Sequence, residues 1–172
     1  MSDLAFHQTA TPLGPFAVIV DGDVVRAAGF TAEPEQLARL AGLDLDSIAP
    51  SDEDHGALAA VRAYFDGDVH AIDGVSTLER SATPPFRTTA REALRKIPAG
   101  STATYTELAA KAGNAKAVRA AGAACATNPI ALIVPCHRVV RADGSLGGFL
   151  YGLDVKQALL DHEAKAASLN NA

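Results

Sequence analysis

The chain has 172 residues, of which 48% are apolar, and carries a formal net charge of −5. That length suits one ordinary domain or two small ones, the apolar fraction argues for a packed core, and no apolar run approaches the roughly 18 residues of a membrane span. The start, "MSDLAFHQTA", lacks a secretory signal, and two cysteines, Cys125 and Cys136, cannot build a disulfide framework, so a cytoplasmic protein with free thiols is expected.

In chain order, "FAVIV" and "VVRAAGF" flank Asp21-Gly22-Asp23, a hairpin signal because Asp-Gly tolerates the positive φ of a tight turn. "EPEQLARLAG" and "DHGALAAVRAYFDG" have helical spacing and end at glycine, and "HAIDGVST" reads as a further strand. This first part, residues 1–83, is expected to be a small α/β scaffold. "LERSATPP" breaks both periodicities and marks the boundary to a second domain, residues 84–172. Phe86, Ala90, Ala93, Leu94 and Ile97 form one helical stripe, stopped by Pro98 and Gly100. Thr104 and Glu107 then stand in capping-box spacing at the head of "TYTELAAKAG", and Gly113 provides its left-handed exit. "KAVRAAGAACATN" predicts a second helix, so the pair reads as a helix-turn-helix. Ala117, Ala120, Ala121, Gly122, Ala123 and Ala124 leave this second helix almost bald, with Arg119 its only long polar side chain after Lys116. Tight packing is one explanation. The other is close approach to a nucleic-acid groove, which would then be the minor groove, since a major-groove reader needs several long polar side chains. "PIALIV" reads as a buried strand, "ADGS" as a turn, and "LDVKQALLDHE" as the last helix, with Val155, Ala158, Leu159 and His162 inward.

Charge is unevenly spread. Residues 1–84 balance at −10, whereas residues 85–141 hold Arg87, Arg91, Arg95, Lys96, Lys111, Lys116, Arg119, Arg138 and Arg141 against Glu92 and Glu107, a balance of +7. A basic middle segment in an acidic chain is the footprint of a polyanion-binding face, although Arg91, Glu92 and Arg95 also fit a solvated helix surface.

"IVPCHRVV" places Cys136, His137 and Arg138 in succession after Pro135. A cysteine there is core filler, a metal ligand or a nucleophile, and no spacing of cysteines and histidines matches a structural zinc site. A thiol near its ordinary pKa of about 8.5 is only a few per cent thiolate at neutral pH, so a nucleophile needs help to ionise. Adjacent residues of an extended strand point to opposite faces, so direct help from His137 requires a turn after Pro135 or a bridging water. The histidine in turn needs a carboxylate to fix its tautomer: Glu163 lies at the edge of the last helix's inward stripe and Asp161 further off it, while His162 sits nearer the centre.

"IVPCHRVVRADGSLGG" with "LDVKQALLDHE", preceded by "IPAGSTATYTELAAKAGNAKAVRAAGAACATNPI", resembles the O6-alkylguanine-DNA alkyltransferases, from about Phe86 to Glu163. The resemblance implies an α+β chain: an N-terminal α/β domain followed by a helix-turn-helix, winged-helix-like active-site domain. It implies Cys136 as alkyl acceptor, His137 taking the thiol proton through a water, Glu163 orienting the histidine, and Tyr105 serving the departing guanine. Arg119 would fill the gap left by the flipped nucleotide, with Lys116, Ala117 and Gly122 on the DNA-binding surface. Asn128 would tie these helices to the cysteine loop. Backbone carbonyls of Cys136 and Val139 and the loop at Phe149 and Leu150 would receive the base. The implied reaction is stoichiometric repair of O6-alkylguanine, extended to O4-methylthymine, in double-stranded DNA by a monomer needing neither cofactor nor metal. The alternative is an alkyltransferase-like lesion sensor. Such sensors lack the acceptor cysteine, and Cys136 speaks against that reading. The chain departs from the family's usual residues at Phe86-Arg87, Ala90-Arg91 and Phe149-Leu150-Tyr151, and it has no tryptophan.

Overall fold

The computed structural model describes residues 3–80 and 82–170; Met1, Ser2, Asn171, Ala172 and Ser81, the last within the expected boundary segment, lie outside the described residues. The chain divides into two compact units, residues 1–81 with 129–133 and residues 82–128 with 134–172.

In the first unit, strands β1 (Leu4–Thr11), β2 (Gly14–Asp21) and β3 (Val24–Gly29) form an antiparallel meander, and β4 (Ile48–Pro50) adds in parallel to β1, giving the order β3-β2-β1-β4. The expected hairpin forms, with Gly22 at φ 60. Phe16 to Val20 of β2 are buried at every position, so alternation sends side chains into cores on both faces. Helix α1 (Pro34–Ala41) covers one face, packing Leu37, Ala38 and Ala41 on Leu4, Phe6, Ala17, Ile19 and Ala27. On the other, Phe16 meets Phe30 edge-on, and Phe30 meets Phe65 of α2 (Gly56–Phe65).

Two expected strands are absent. Residues 70–77 run through turns and pair with the sheet at the Val25–Thr77 bridge. "PIALIV" is likewise a turn held by the Ala28–Ile130 bridge. Leu132 within it sits at φ 70, with Ile133 N donating to Ala131 O at 2.9 Å, a γ-turn of the strained positive-φ kind. Residues 129–134 are buried as expected, whereas of residues 70–77 only Ile72 is fully buried. The ladder fails because these segments spend their backbone bonds on turns.

The second unit contains α3 (Pro85–Leu94), α4 (Tyr105–Lys111), α5 (Val118–Ala126) and α6 (Leu153–Asn170), with a two-stranded parallel pair, β5 (Ala103–Thr104) and β6 (Val139–Val140). The capping box forms as read: Glu107 N donates to Thr104 Oγ1 at 3.1 Å and Thr104 N to Glu107 Oε1 at 3.4 Å. Gly113 takes φ 101, and α5 follows after a short turn, completing the helix-turn-helix. Helix α5 starts later than expected. Lys116 lies in the turn, where its N–H donates to Asn114 Oδ1 at 3.1 Å, and Ala117 is the residue before the first helical turn. No helix among the described residues is long and apolar enough to cross a membrane.

Candidate active site

The stretch around Cys136 is a compound turn. Pro135, at φ −85 and ψ 65, centres an inverse γ-turn in which Cys136 N donates to Val134 O at 2.9 Å. A single 3-10 turn, Cys136–Arg138, follows, with Arg138 N donating to Pro135 O at 3.1 Å. The extended geometry that would have separated Cys136 from His137 is therefore absent. Cys136 is 6% exposed and lines a pocket of about 360 Å³ with Tyr105, Gly122, Cys125, Ala126, Gly148, Phe149 and Leu150.

Behind the sulfur lies a buried polar cluster. His137 Nε2 donates to Glu163 Oε2 at 2.7 Å. A carboxylate only accepts, so Nε2 carries the hydrogen and the neutral ring keeps its lone pair on Nδ1. That Nδ1 is buried and has no hydrogen-bond partner among the described residues. Arg138 grips the same carboxylate with Nε at 2.8 Å and Nη2 at 2.9 Å, while its Nη1 donates to Ile97 O at 2.7 Å. Burial alone would raise the Glu163 pKa, but the bonds from His137 and Arg138 outweigh it and hold the carboxyl well below the usual range. Burial lowers the His137 pKa against the pull of Glu163, so the imidazole is neutral at pH 7. Burial also pushes the Cys136 thiol up, opposed by a hydrogen bond from Asn128 and by the charge of Lys156. The resting sulfur is a thiol, and its proton has to leave during the reaction rather than before it.

Helix α6 is rotated from the expected register. Its buried positions are Lys156, Leu159, Glu163 and Ala166, while Val155, Ala158 and His162 are only half-buried. Glu163 therefore sits at the centre of the inward stripe and His162 beside it. Hydropathy misses this because two of the inward residues are charged, each buried with its own partners.

The remaining candidates are placed as follows. Asn128 is buried and its Nδ2 donates to Val134 O at 2.8 Å, joining the end of α5 to the cysteine turn. Tyr105, at the start of α4, lines the pocket, and its hydroxyl pKa is raised, first by burial, so it stays protonated. The loop must pass close to this ring: Gly147 has φ 73, and a Cβ there would lie 2.6 Å from Tyr105 Oη. Phe149 and Leu150 form the pocket wall, with Phe149 edge-on to Tyr151 at 5.8 Å. Val139 is buried in β6. Arg119 and Lys116 are exposed. Arg119, Gly122 and Ala126 share one stripe of α5, so the exposed arginine lies one turn from the pocket rim. Only Ala121 and Ala124 of α5 are fully buried, and a Cβ on Gly122 would meet nothing within 4 Å, so internal packing explains only part of the bald surface. Cys125 also lines the pocket; its thiol is pushed up to about 12, chiefly by burial.

The basic segment is smaller at the surface than its composition suggests. Arg91 is buried, donating to Ala124 O at 3.0 Å and Thr127 Oγ1 at 2.7 Å, so it is a strut between α3 and the end of α5 rather than a solvated residue. Arg138 is consumed by Glu163. Arg87, Arg95, Lys96, Lys111, Lys116, Arg119 and Arg141 remain at the surface or half-buried. Sequence reasoning missed Lys156, whose Nζ reaches into the loop beside the pocket; its only signal was position, two helical turns before Glu163 on the same face. Among the described residues no group of three or more His, Cys, Asp or Glu is placed to hold a metal ion.

Residues 85–165 match the family described as 6-O-methylguanine DNA methyltransferase, DNA binding domain. A methylated-DNA–protein-cysteine methyltransferase of Shigella flexneri is 36% identical over 170 residues, covering 95% of this chain and 97% of that one. One from Methanosarcina acetivorans is 36% identical over 154 residues, covering 89% and 94%. Among solved structures, the O6-methylguanine methyltransferase of Mycobacterium tuberculosis is 32% identical with a TM-score of 0.76, covering 96% of this chain and 94% of that one. The M. tuberculosis OGT in complex with DNA is 31% identical, covers 94% of each chain and superposes with the same TM-score of 0.76. With a pocket-lining cysteine on a Pro-Cys-His-Arg turn behind a helix-turn-helix, and with relatives matched over almost the whole chain, this protein belongs to the methylated-DNA–protein-cysteine methyltransferase family.

Proposed function

We propose that the chain repairs alkylated DNA by moving the alkyl group from O6 of guanine onto Cys136. The observation that carries this reading is the buried thiol at the base of a pocket, backed by a neutral imidazole whose Nδ1 lone pair is uncommitted and whose Nε2 is held by an ionised carboxylate. The sulfur attacks the alkyl carbon, the carbon–O6 bond breaks, and a thioether forms. The thiol proton passes through a water to His137, the imidazolium is balanced by Glu163, and one proton returns to the guanine, so none is consumed. Tyr105, protonated at neutral pH, serves as hydrogen-bond donor to the leaving base. Soft thiolate sulfur suits attack at a saturated carbon, and nothing in the chain cleaves a thioether, so each molecule reacts once.

The target atom is inaccessible in stacked duplex, so the nucleotide rotates out into the pocket, and Arg119 fills the space it leaves. The small-residue stripe of α5 lets the backbone enter the minor groove, where contacts are to phosphate and shape, and repair becomes indifferent to flanking sequence. O6-methylguanine is the expected lesion and O4-methylthymine a second, with the protein acting as a monomer.

The test is to incubate the protein with a duplex carrying O6-methylguanine and weigh the tryptic peptide that holds Cys136. One methyl per molecule on that peptide, absent in Cys136→Ser, is the expected result. Lesion binding without any mass gain would overturn transfer in favour of a sensor.

A further inference from the structure

Helix α5 carries the small-residue stripe and three of the pocket residues, Gly122, Cys125 and Ala126, yet its C-terminus is not closed by its own sequence. No basic residue stands in its last turn, and the residue that ends it is Thr127, at φ −107 and ψ 15, rather than a left-handed glycine. The last carbonyls of a helix must find partners outside its regular ladder. Ala123 O accepts from Thr127 N at 3.0 Å and from Thr127 Oγ1 at 2.6 Å, and Cys125 O accepts from Asn128 N at 3.3 Å. Ala124 O is served from another helix: Arg91 Nε of α3 donates to it at 3.0 Å, and Arg91 Nη2 donates to Thr127 Oγ1 at 2.7 Å. Arg91 is 5% exposed and brings a fixed positive charge to the negative end of the α5 dipole. From this end two connections run to the nucleophile. Cys125 and Ala126 line the pocket that holds Cys136, and Asn128 donates to Val134 O, the carbonyl that also accepts from Cys136 N.

We propose that Arg91 is a positioning residue for alkyl transfer: as a C-cap donated by α3, it holds the last turn of α5, and with it the pocket wall and the Asn128 link, in the geometry the reaction uses. The inference rests on the transfer reading above. Apolar packing gives this helix little hold, since Ala121 and Ala124 are its buried residues and each contributes a single methyl. The polar clamp therefore does what large side chains do elsewhere, and it leaves the outer face of α5 small. Arg91 stands at one of the positions where the chain departs from its family's usual residues, so the cap is a feature of this chain's own sequence. Its charge adds a smaller pull toward ionisation on both pocket thiols, Cys125 and Cys136.

The experiment compares wild type, Arg91→Met and Arg91→Lys well below their melting temperatures. It measures folding by circular dichroism, backbone hydrogen exchange on peptides from the end of α5, and single-turnover transfer at saturation from a lesion duplex and from free O6-alkylguanine base. Arg91→Met keeps the aliphatic stem and removes the donors and the charge. Exchange at the α5 end should then quicken about tenfold, and transfer should slow about tenfold on both substrates, because the pocket wall rather than a DNA contact is disturbed. Arg91→Lys keeps the charge and a donor for Ala124 O, so it should recover part of both losses. If the Met variant does not fold, the Lys variant decides by the same readouts, with smaller changes in the same directions. A merely structural arginine would lower the melting temperature and leave the saturating rate of the folded protein at the wild-type value, which overturns the proposal. Slower transfer with unchanged exchange at the α5 end, or a loss confined to the duplex, overturns it too. Failure of the wild type to accept methyl would instead overturn the transfer reading itself.

Discussion

Glu163→Gln tests the buried relay most directly. In the native site the carboxylate is 1% exposed and accepts hydrogen bonds from His137 Nε2 at 2.7 Å and from Arg138 Nε and Nη2 at 2.8 and 2.9 Å. Glutamine keeps the shape but offers one acceptor oxygen and presents an N–H₂ to donors that cannot accept it. The larger loss is the charge: Arg138, 2% exposed, keeps its bond to Ile97 O but has a neutral amide in place of its carboxylate counterion. Breaking a buried pair from one side costs about 3–5 kcal/mol. At roughly 2–4 °C per kcal/mol for a chain of this length, the melting temperature should fall on the order of 10 °C. Thermal unfolding followed by circular dichroism near neutral pH measures it. The control is Arg138→Met combined with Glu163→Gln, which removes both charges and should melt above Glu163→Gln alone. A Glu163→Gln protein melting within about 2 °C of wild type would refute the argument, because it would mean the guanidinium is stabilised by groups other than this carboxylate.

Acid should destabilise the protein in two stages. The folded pKa of His137 lies below its ordinary 6.5 and that of Glu163 below its ordinary 4.5, so at each site the unfolded chain binds protons more readily. Stability is therefore complete above about pH 6.5, declines as pH falls below it through His137, and declines again below the carboxylate range through Glu163. Urea midpoints measured across this range should show both slopes, and a flat profile between about pH 7 and 5 would refute a buried neutral imidazole. Arg119→Ala should slow transfer from duplex far more than transfer from free O6-alkylguanine base, which needs no flipping; equal losses would count against its role in the helix.

Local rules carried far into this protein. The hairpin at Gly22, the capping box from Thr104 to Glu107, the glycine exit at Gly113 and the Pro-Cys-His-Arg block are short-range patterns, and a few adjacent residues suffice to state them. The two missing strands mark where that reach ends. Val75 and Leu132 lie in stretches with the composition of strands, but whether a ladder forms depends on which distant backbone groups remain free, and here turns had taken them. Nearest-neighbour geometry left the nucleophile open between an extended chain and a turn after Pro135, and only the fold decided for the turn.

What the sequence by itself determined was the inventory: a nucleophile beside a histidine, a helix-turn-helix with a bald second helix, and a basic middle segment. Only the tertiary structure decided which charges serve the surface and which the interior. Arg91, Arg138, Lys156 and Glu163 are all buried with partners, and three of them close on the cysteine turn or its loop. A periodicity of hydropathy reads charged residues as outward, since burying an unpaired ion is prohibitive. That penalty is cancelled only by a specific partner at bonding distance, often far away in the chain, so the centre of the site became visible only after the fold had brought those partners together.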